Sequence, residues 1–234
     1  MLRKPSFAHL SGIAAIGFAA MIVTGNLIAL PAGLPHSGAA LSDVTAFFRG
    51  HGDILGVSAA LGPATWVLAT LFGAGAVLAL WPAERERGEA WSLVGFGGLL
   101  LQNATFTAIV ATRLALAAPS AGDATATGAL WALHDGLFVL NGTFLALALT
   151  GLSVAGRRGG LTPRWHYVLG LVAAVLQFGA ATLAPLAIDD PGRFGFLGLL
   201  GWLLWVVWLV AYGIRLVRHD QGVPQVALTT TGTP

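Results

Sequence analysis

GALWALHDGLFVLNGTFLALALTGLSV, running from Gly128 to Val154, decides the class of this chain. It is long enough to cross a bilayer, which takes about 20 mostly apolar residues as a helix. About two helical turns from its start it carries His134 and Asp135 side by side. An ionisable group inside a span costs about 3 kcal/mol or more and marks a functional site by default. This pair is therefore the first place to look for chemistry.

Five further stretches have the same length and texture: Leu10 to Leu34, Ile54 to Leu80, Trp91 to Ala117, Trp165 to Ile188 and Phe194 to Val217. Together with Gly128 to Val154 they predict an all-α polytopic membrane bundle of six transmembrane helices. Short connections imply antiparallel neighbours in one domain spanning residues 1–220, followed by a flexible Thr, Gly and Pro-rich tail over 221–234. Composition agrees: 56% of residues are hydrophobic and 9% charged, where a soluble domain carries roughly 25% charged residues. There is no cysteine, which excludes disulfides, thiolate metal sites and a cysteine nucleophile. The one lysine, Lys4, precedes the first span, so no intramembrane lysine can form a Schiff base. The net charge is +2 and the basic residues are scattered over loops, so no nucleic-acid footprint is present. No internal repeat of the transporter kind stands out.

Basic residues predict the orientation. With the N-terminus in the cytoplasm, nine fall inside: Arg3, Lys4, Arg85, Arg87, Arg157, Arg158, Arg164, Arg215 and Arg218. Two, Arg49 and Arg193, fall outside, and Arg113 lies within span three. Both termini are then cytoplasmic, and the chain is expected as a multi-pass protein of the plasma membrane. The first apolar run is too long for a signal peptide and is expected to stay as a helix. In the loop from Pro35 to Asp53, Leu41, Val44, Phe47 and Phe48 recur at helical spacing after Ser42, which predicts a short interfacial helix over the outer mouth. Asn103 and Asn141 match a glycosylation pattern but lie inside spans.

At 1.5 Å per residue, His134 and Asp135 sit about 10 Å below the outer boundary. His134, Phe138 and Asn141 share a helix stripe, with Asp135 on its edge. On span three, Gln102, Phe106, Ile109 and Arg113 share a face beside Asn103 and Thr107, and Arg113 reaches the depth of His134. His51 and Asp53 stand at the outer start of span two, Asn26 in the outer half of span one, Gln177 in the middle of span five, and Asp189, Asp190 and Arg193 at its outer end. The polar groups are thus expected from the midplane outward, which favours a pocket in the outer half over a through-pore. Aromatic rings line the same bundle: Trp66 and Phe72, Phe106, Trp131, Phe138 and Phe144, Phe178, and a stripe of Trp202, Trp205 and Tyr212 with Trp208 beside it. Trp81, Trp91, Trp165 and Tyr167 read as interface anchors. Pro31, Pro63 and Pro185 are expected to kink spans one, two and five, and Gly195, Gly198 and Gly201 to let helices pack closely.

Each feature has a plain reading too. Asp135 and Arg113 can be an ion pair joining spans three and four. His51 and Asp53 can cap the second helix. The Trp stripe can be packing or lipid-facing surface. His51, Asp53, His134 and Asp135 lack the His-x-x-x-His or Glu-x-x-His spacing of a metal set, so neither metal nor cofactor is expected.

An intramembrane acid, an aromatic cavity and exclusion of water suit proton-initiated cyclisation of a polyprenyl chain, with rings stabilising the cations. Asp135 is the expected acid, with His134 and Asn141 orienting it or relaying protons. If Arg113 claims Asp135, Asp53 becomes the acid, with His51 beside it. Asn26, Trp66, Asn103, Phe106, Arg113, Trp131, Phe138, Asn141 and Trp205 are the expected substrate contacts. The partners are then a lipophilic prenylated small molecule and membrane lipid. A non-catalytic small-molecule transporter or an accessory membrane subunit is the alternative.

Phe-Phe-Arg-Gly-His at 47–51, Leu-Thr-Pro-Arg-Trp at 161–165 and an Ala/Gly-rich texture resemble small actinobacterial multi-span membrane proteins. In size, span number and texture the chain is similar to the membrane-integral terpene cyclases of drimentine-type indole alkaloid pathways. That resemblance implies a farnesylated indole diketopiperazine as substrate and carries over no site residue. Fungal membrane cyclases of meroterpenoid pathways are similar in logic but usually have seven spans.

Overall fold

The computed structural model describes residues 6–118, 124–187 and 193–221. Arg3, Lys4, Ile188, Asp189, Asp190 and the tail from 222 onward lie outside the described residues. The helices are α1 (Phe7–Ala29), α2 (Leu41–Gly50), α3 (Gly52–Ala60), α4 (Gly62–Arg87), α5 (Trp91–Ala117), α6 (Ala124–Arg158), α7 (Arg164–Leu183) and α8 (Gly195–Gln221), with a 3-10 turn at Ala184–Ala187. Six spans are long and apolar enough to cross a membrane, α3 and α4 together making the second. The chain is a multi-pass membrane protein by this measure. Its outward side chains are as apolar as its core: Leu27, Val175 and Phe196 are 67%, 71% and 71% exposed. Such residues are stable only with lipid as their solvent, since lipid tails and leucine are equally apolar.

The spans close into a ring in the order α1, α4, α5, α6, α7, α8 and back to α1. Small residues set the tightest joints. A Cβ on Gly95 would fall 2.6 Å from the Leu152 nitrogen, one on Gly98 2.5 Å from the Ala148 nitrogen, and one on Gly151 2.3 Å from the Gly95 nitrogen. The α5 and α6 backbones therefore touch, as small residues permit between membrane helices. Gly12 and Gly213 seal α1 to α8 in the same way, each placing a Cβ 2.6 Å from the other's carbonyl oxygen. That contact also puts the start of α1 and the end of α8 at one end of the bundle. Arg85, Arg87, Arg157 and Arg158 close α4 and α6 at that end.

Of the three glycines expected to pack closely, Gly201 does, with Leu176 Cβ at 3.1 Å. Gly195 faces open space. Each expected proline stands where a helix ends or a span is interrupted. Pro31 follows the Leu30 cap of α1, Pro63 opens α4 after a break at Leu61, and Pro185 sits in the 3-10 turn. Proline lacks the N–H that a helix interior needs, and the first helical turn is where it is tolerated.

The ring is filled by Phe18, Phe72, Leu149, Trp205, Trp208 and Tyr212. A second core lies at the end opposite the arginines. There the expected short helix forms as α2, one residue ahead of Ser42 and capped at Ala40 without a side-chain bond. Its Val44, Phe47 and Phe48 pack with Leu55, Leu116 and Trp131. This lays α2 as a lid across the ends of α3, α5 and α6.

Candidate functional site

The antiparallel joint between α5 and α6 pairs Gly95 with Gly151 and Gly98 with Ala148. Carried outward, that register brings Arg113 opposite His134. Arg113 Nε donates to His134 Nε2 at 3.0 Å, and His134 Nδ1 contacts Asp135 Oδ1 at 3.2 Å. Two bonds settle the imidazole's tautomer. A guanidinium only donates, so Nε2 holds the lone pair and Nδ1 carries the proton it gives to Asp135. A neutral imidazole thus stands between a cation and a carboxylate. Asp135 is also bound by Ser37 Oγ at 3.4 Å and by the Gly38 N–H at 3.3 Å. Gly38 has φ 83° and Gly33 φ 89°, left-handed conformations that glycine adopts freely, so the loop can turn its N–H towards the carboxylate.

Trp131, His134 and Phe138 are one turn apart on α6, which aligns their rings. Trp131 stacks on His134 at 4.7 Å and 9°, and Phe138 lies nearly parallel at 6.2 Å and 11°. Phe48 of the lid meets Trp131 edge-on at 6.0 Å, and Phe106 of α5 meets Phe138 at 6.5 Å. The stripe runs from cover to bilayer: Trp131 is 7% exposed, His134 4% and Phe138 46%. The lid covers this relay on its Trp131 side, the Asp135 side chain stays 18% exposed beside the Ser37–Gly38 loop, and the ring of Phe138 borders it on the outward face.

The structure thus brings together Arg113, His134, Asp135, Trp131, Phe138 and Phe106. Arg113 does not claim Asp135 directly, because His134 lies between them. Asn103 and Trp66 meet each other, Asn103 Nδ2 donating to the Trp66 carbonyl at 3.4 Å. Asn141 is buried, and its Oδ1 has no partner among the described residues. Other expected contacts lie elsewhere. Trp205 is a core residue, 2% exposed and edge-on to Phe18 at 5.6 Å. Asn26 turns back on its own helix to the Ile22 carbonyl at 2.9 Å. It borders an apolar groove of about 390 Å3 between α1 and α8, with Leu27, Pro31 and Trp202. His51 is the joint between α2 and α3; it stacks on Phe47 at 4.7 Å, and its Nδ1 donates to the Phe47 carbonyl at 3.0 Å. Asp53 is exposed in the first turn of α3, where a carboxylate suits the helix dipole. Neither shares a hydrogen bond with Arg113, His134 or Asp135. Among the described residues no three His, Cys, Asp or Glu side chains converge as a metal set.

The expectation that nearly all buried polar groups lie from the midplane outward is corrected. A second polar layer occupies the arginine-rich half. Glu84 is fully buried and accepts from the Ser92 N–H at 2.9 Å and from Ser92 Oγ, capping α5 across the loop from α4. His166, also fully buried, donates from Nε2 to the Trp208 carbonyl at 2.9 Å, and Trp208 Nε1 donates to Ser153 Oγ at 3.0 Å. Tyr212 closes the cluster, its ring 5.4 Å from His166. Thr162 Oγ1 and His166 Nδ1 have no partner among the described residues. Outside the spans, Glu89 is bound by Arg87 and Arg158. Burial pushes its carboxyl up, but the hydrogen bonds and charges of the two arginines outweigh this and hold it below the ordinary 4.5.

Comparison with known protein families, with curated proteins and with solved structures gives no match, so the site is interpreted from its own geometry.

Proposed function

We propose that the chain is a membrane-integral enzyme of the plasma membrane, its arginine-rich end in the cytoplasm, acting on a lipophilic prenylated substrate that arrives from the bilayer. The observation that supports this reading is the Arg113–His134–Asp135 relay, set inside a span around the buried His134 and flanked by Phe106 and the exposed ring of Phe138. The chemistry proposed is proton-initiated cyclisation. A proton held by the His134–Asp135 pair adds to an alkene carbon, and the cation formed is closed by the next double bond. Loss of a proton from an adjacent carbon back to the pair ends the sequence. Substrate and product are isomers, and no co-reactant is consumed. The rings of Trp131 and Phe138 stabilise the cation by about 0.5–2 kcal/mol per contact. At rest the pair holds one proton, on His134 Nδ1, while Nε2 accepts from Arg113; the proton it delivers is a second one, taken up by Asp135, whose oxygens face His134, Ser37 and Gly38.

The resemblance to drimentine-type cyclases names the substrate to try first, a farnesylated indole diketopiperazine. Turnover is measured in membranes carrying the chain, its Asp135→Asn variant or its Asp53→Asn variant. Loss of product with Asp135→Asn alone is the expected result. Full turnover by both variants sinks the proton-donor proposal. A transporter is the second reading, favoured by the polar layer around Glu84 and His166, because a conducting path needs polar groups on both sides of the midplane. Uptake of the same compound into proteoliposomes without chemical change would select it.

A further inference from the structure

Arg113 offers five N–H bonds in a fixed fork, and the structure uses only the one on Nε, given to His134. Among the described residues neither Nη nitrogen has a hydrogen-bond partner. A second donor stands against the same imidazole: Trp131, 7% exposed, stacks on His134 at 4.7 Å, and its Nε1 is buried without a partner. A donor unmet in a buried place, as Trp131 Nε1 is, is costly. The unmet groups here are donors from two different helices, so what completes them is an acceptor, and the fork of a guanidinium matches an oxyanion in two-pronged fashion.

The hydrogen bonds behind Arg113 have the form of a support. Asp135 fixes the proton of His134 on Nδ1, which keeps Nε2 free to accept from Arg113 Nε. That bond holds one edge of the guanidinium and leaves the other open. The Ser37–Gly38 loop in turn holds Asp135. Beyond the donors, half-buried Phe106 packs against Phe138, whose ring is 46% exposed.

We propose that Arg113 and Trp131 Nε1 receive the oxyanion head of an amphiphilic substrate whose prenyl tail lies along Phe106 and Phe138. Arg113 is then a binding residue, and His134 and Asp135 position it. The inference rests on the enzyme reading's view that the His134 cluster receives a prenylated ligand, and replaces the neutral diketopiperazine head, which has no oxyanion, with an anionic one.

The test is equilibrium binding, without turnover, to the full chain in phosphatidylcholine nanodiscs. The probes are farnesyl phosphate, farnesol and inorganic phosphate. Farnesyl phosphate is expected to bind at least about tenfold tighter than farnesol, the scale of one charge-assisted bond. In Arg113→Gln, which loses charge and fork together, that preference falls to near unity, and in Arg113→Lys, which keeps the charge without the fork, it falls to between the two. Equal affinities for farnesyl phosphate and farnesol in the unaltered protein, which need no variant to fold, overturn the proposal. So does displacement of farnesyl phosphate by equimolar inorganic phosphate, which would mark a free-anion site, or by an equal mole fraction of phosphatidylglycerol, which would mark a lipid-headgroup site. A tenfold preference without any turnover would remove only the enzyme reading. Turnover without the preference would remove only this inference.

Discussion

Arg113 and Asp135 do not touch, yet the imidazole between them should couple them energetically. Asp135→Asn keeps the shape and an acceptor but removes the charge. Of the three bonds to this carboxylate, only that from His134, at 3.2 Å, is short enough to count fully; those from Ser37 and Gly38 are 3.4 and 3.3 Å. A hydrogen bond to a charged group contributes about 1.5–3 kcal/mol against about 1 for a neutral one, so the bond itself loses about 1 kcal/mol. The larger loss is at Arg113, left as an uncompensated cation inside a span, where a charge costs about 2.5–3.5 kcal/mol on insertion scales. The sum is about 4 kcal/mol of destabilisation. Arg113→Gln alone strands the carboxylate and should cost about as much. The double variant restores neutrality, so it should fall short of the summed single losses by about 2 kcal/mol, the range seen for groups in one network. The measurement is a double-mutant cycle in which the purified chain is unfolded by SDS titrated into dodecylmaltoside and followed by far-UV circular dichroism. Additivity within about 0.5 kcal/mol, the behaviour of independent sites, would refute the relay.

Neighbouring glycines test the α5–α6 joint by sign. Gly151→Ala, whose Cβ would lie 2.3 Å from the Gly95 nitrogen and 2.7 Å from the Trp91 oxygen, should cost about 1–3 kcal/mol by overpacking. Gly97→Ala, with nothing within 4 Å, should be neutral or stabilise by up to about 1 kcal/mol through helix propensity; the same SDS titration reads both. Glu84→Ala strands the Ser92 N–H and hydroxyl and should cost about 2–3 kcal/mol, whereas Glu86→Ala on the exposed face should stay within about 0.5 kcal/mol. Glu89 has its carboxyl held below 4.5 in the folded chain by Arg87 and Arg158. Its ion pairs therefore stabilise at neutral pH, and the advantage over Glu89→Gln should shrink once the pH falls below about 4.5, where the unfolded carboxyl protonates, and vanish below the folded value. SDS midpoints of the two proteins at pH 7 and pH 3.5 check this.

The six spans were legible because a helix in lipid must be apolar over its whole length, and α2 was legible because Val44, Phe47 and Phe48 fall on one face. Helix ends were not. An apolar window stops where hydrophobicity stops, but a helix runs on until its backbone bonds find another cap. Hence α6 starts at Ala124, ahead of Gly128, and α4 continues past Leu80 to Arg87. The glycines that matter most were also misjudged. Gly195, Gly198 and Gly201 show an obvious spacing, while Gly95, Gly98 and Gly151 become a contact only once the α5–α6 register is known.

Depth along a span follows from residue number, so Arg113, His134 and Asp135 were placed in one layer correctly. Direction around the helix does not follow from number, which is why Trp205 was counted with the site and proves to be core. The layer around Glu84, Thr162 and His166 was missed for a different reason. These residues stand at or just beyond span ends, where a polar side chain reads as water-facing, and only the longer neighbouring helices bury them. Two polar layers would favour conduction if side chains linked them. Gln102 and Asn141 are the buried amides on α5 and α6 nearest such a link, yet their Oε1 and Oδ1 have no partner among the described residues. Phe18, Phe72, Leu149 and Trp205 fill the centre of the ring. The side chains therefore form two separate networks. A proton reaching His134 has its shortest route at its own end, past Asp135 and the Ser37–Gly38 loop, which is where a catalyst needs access and a pump would need only half of its path.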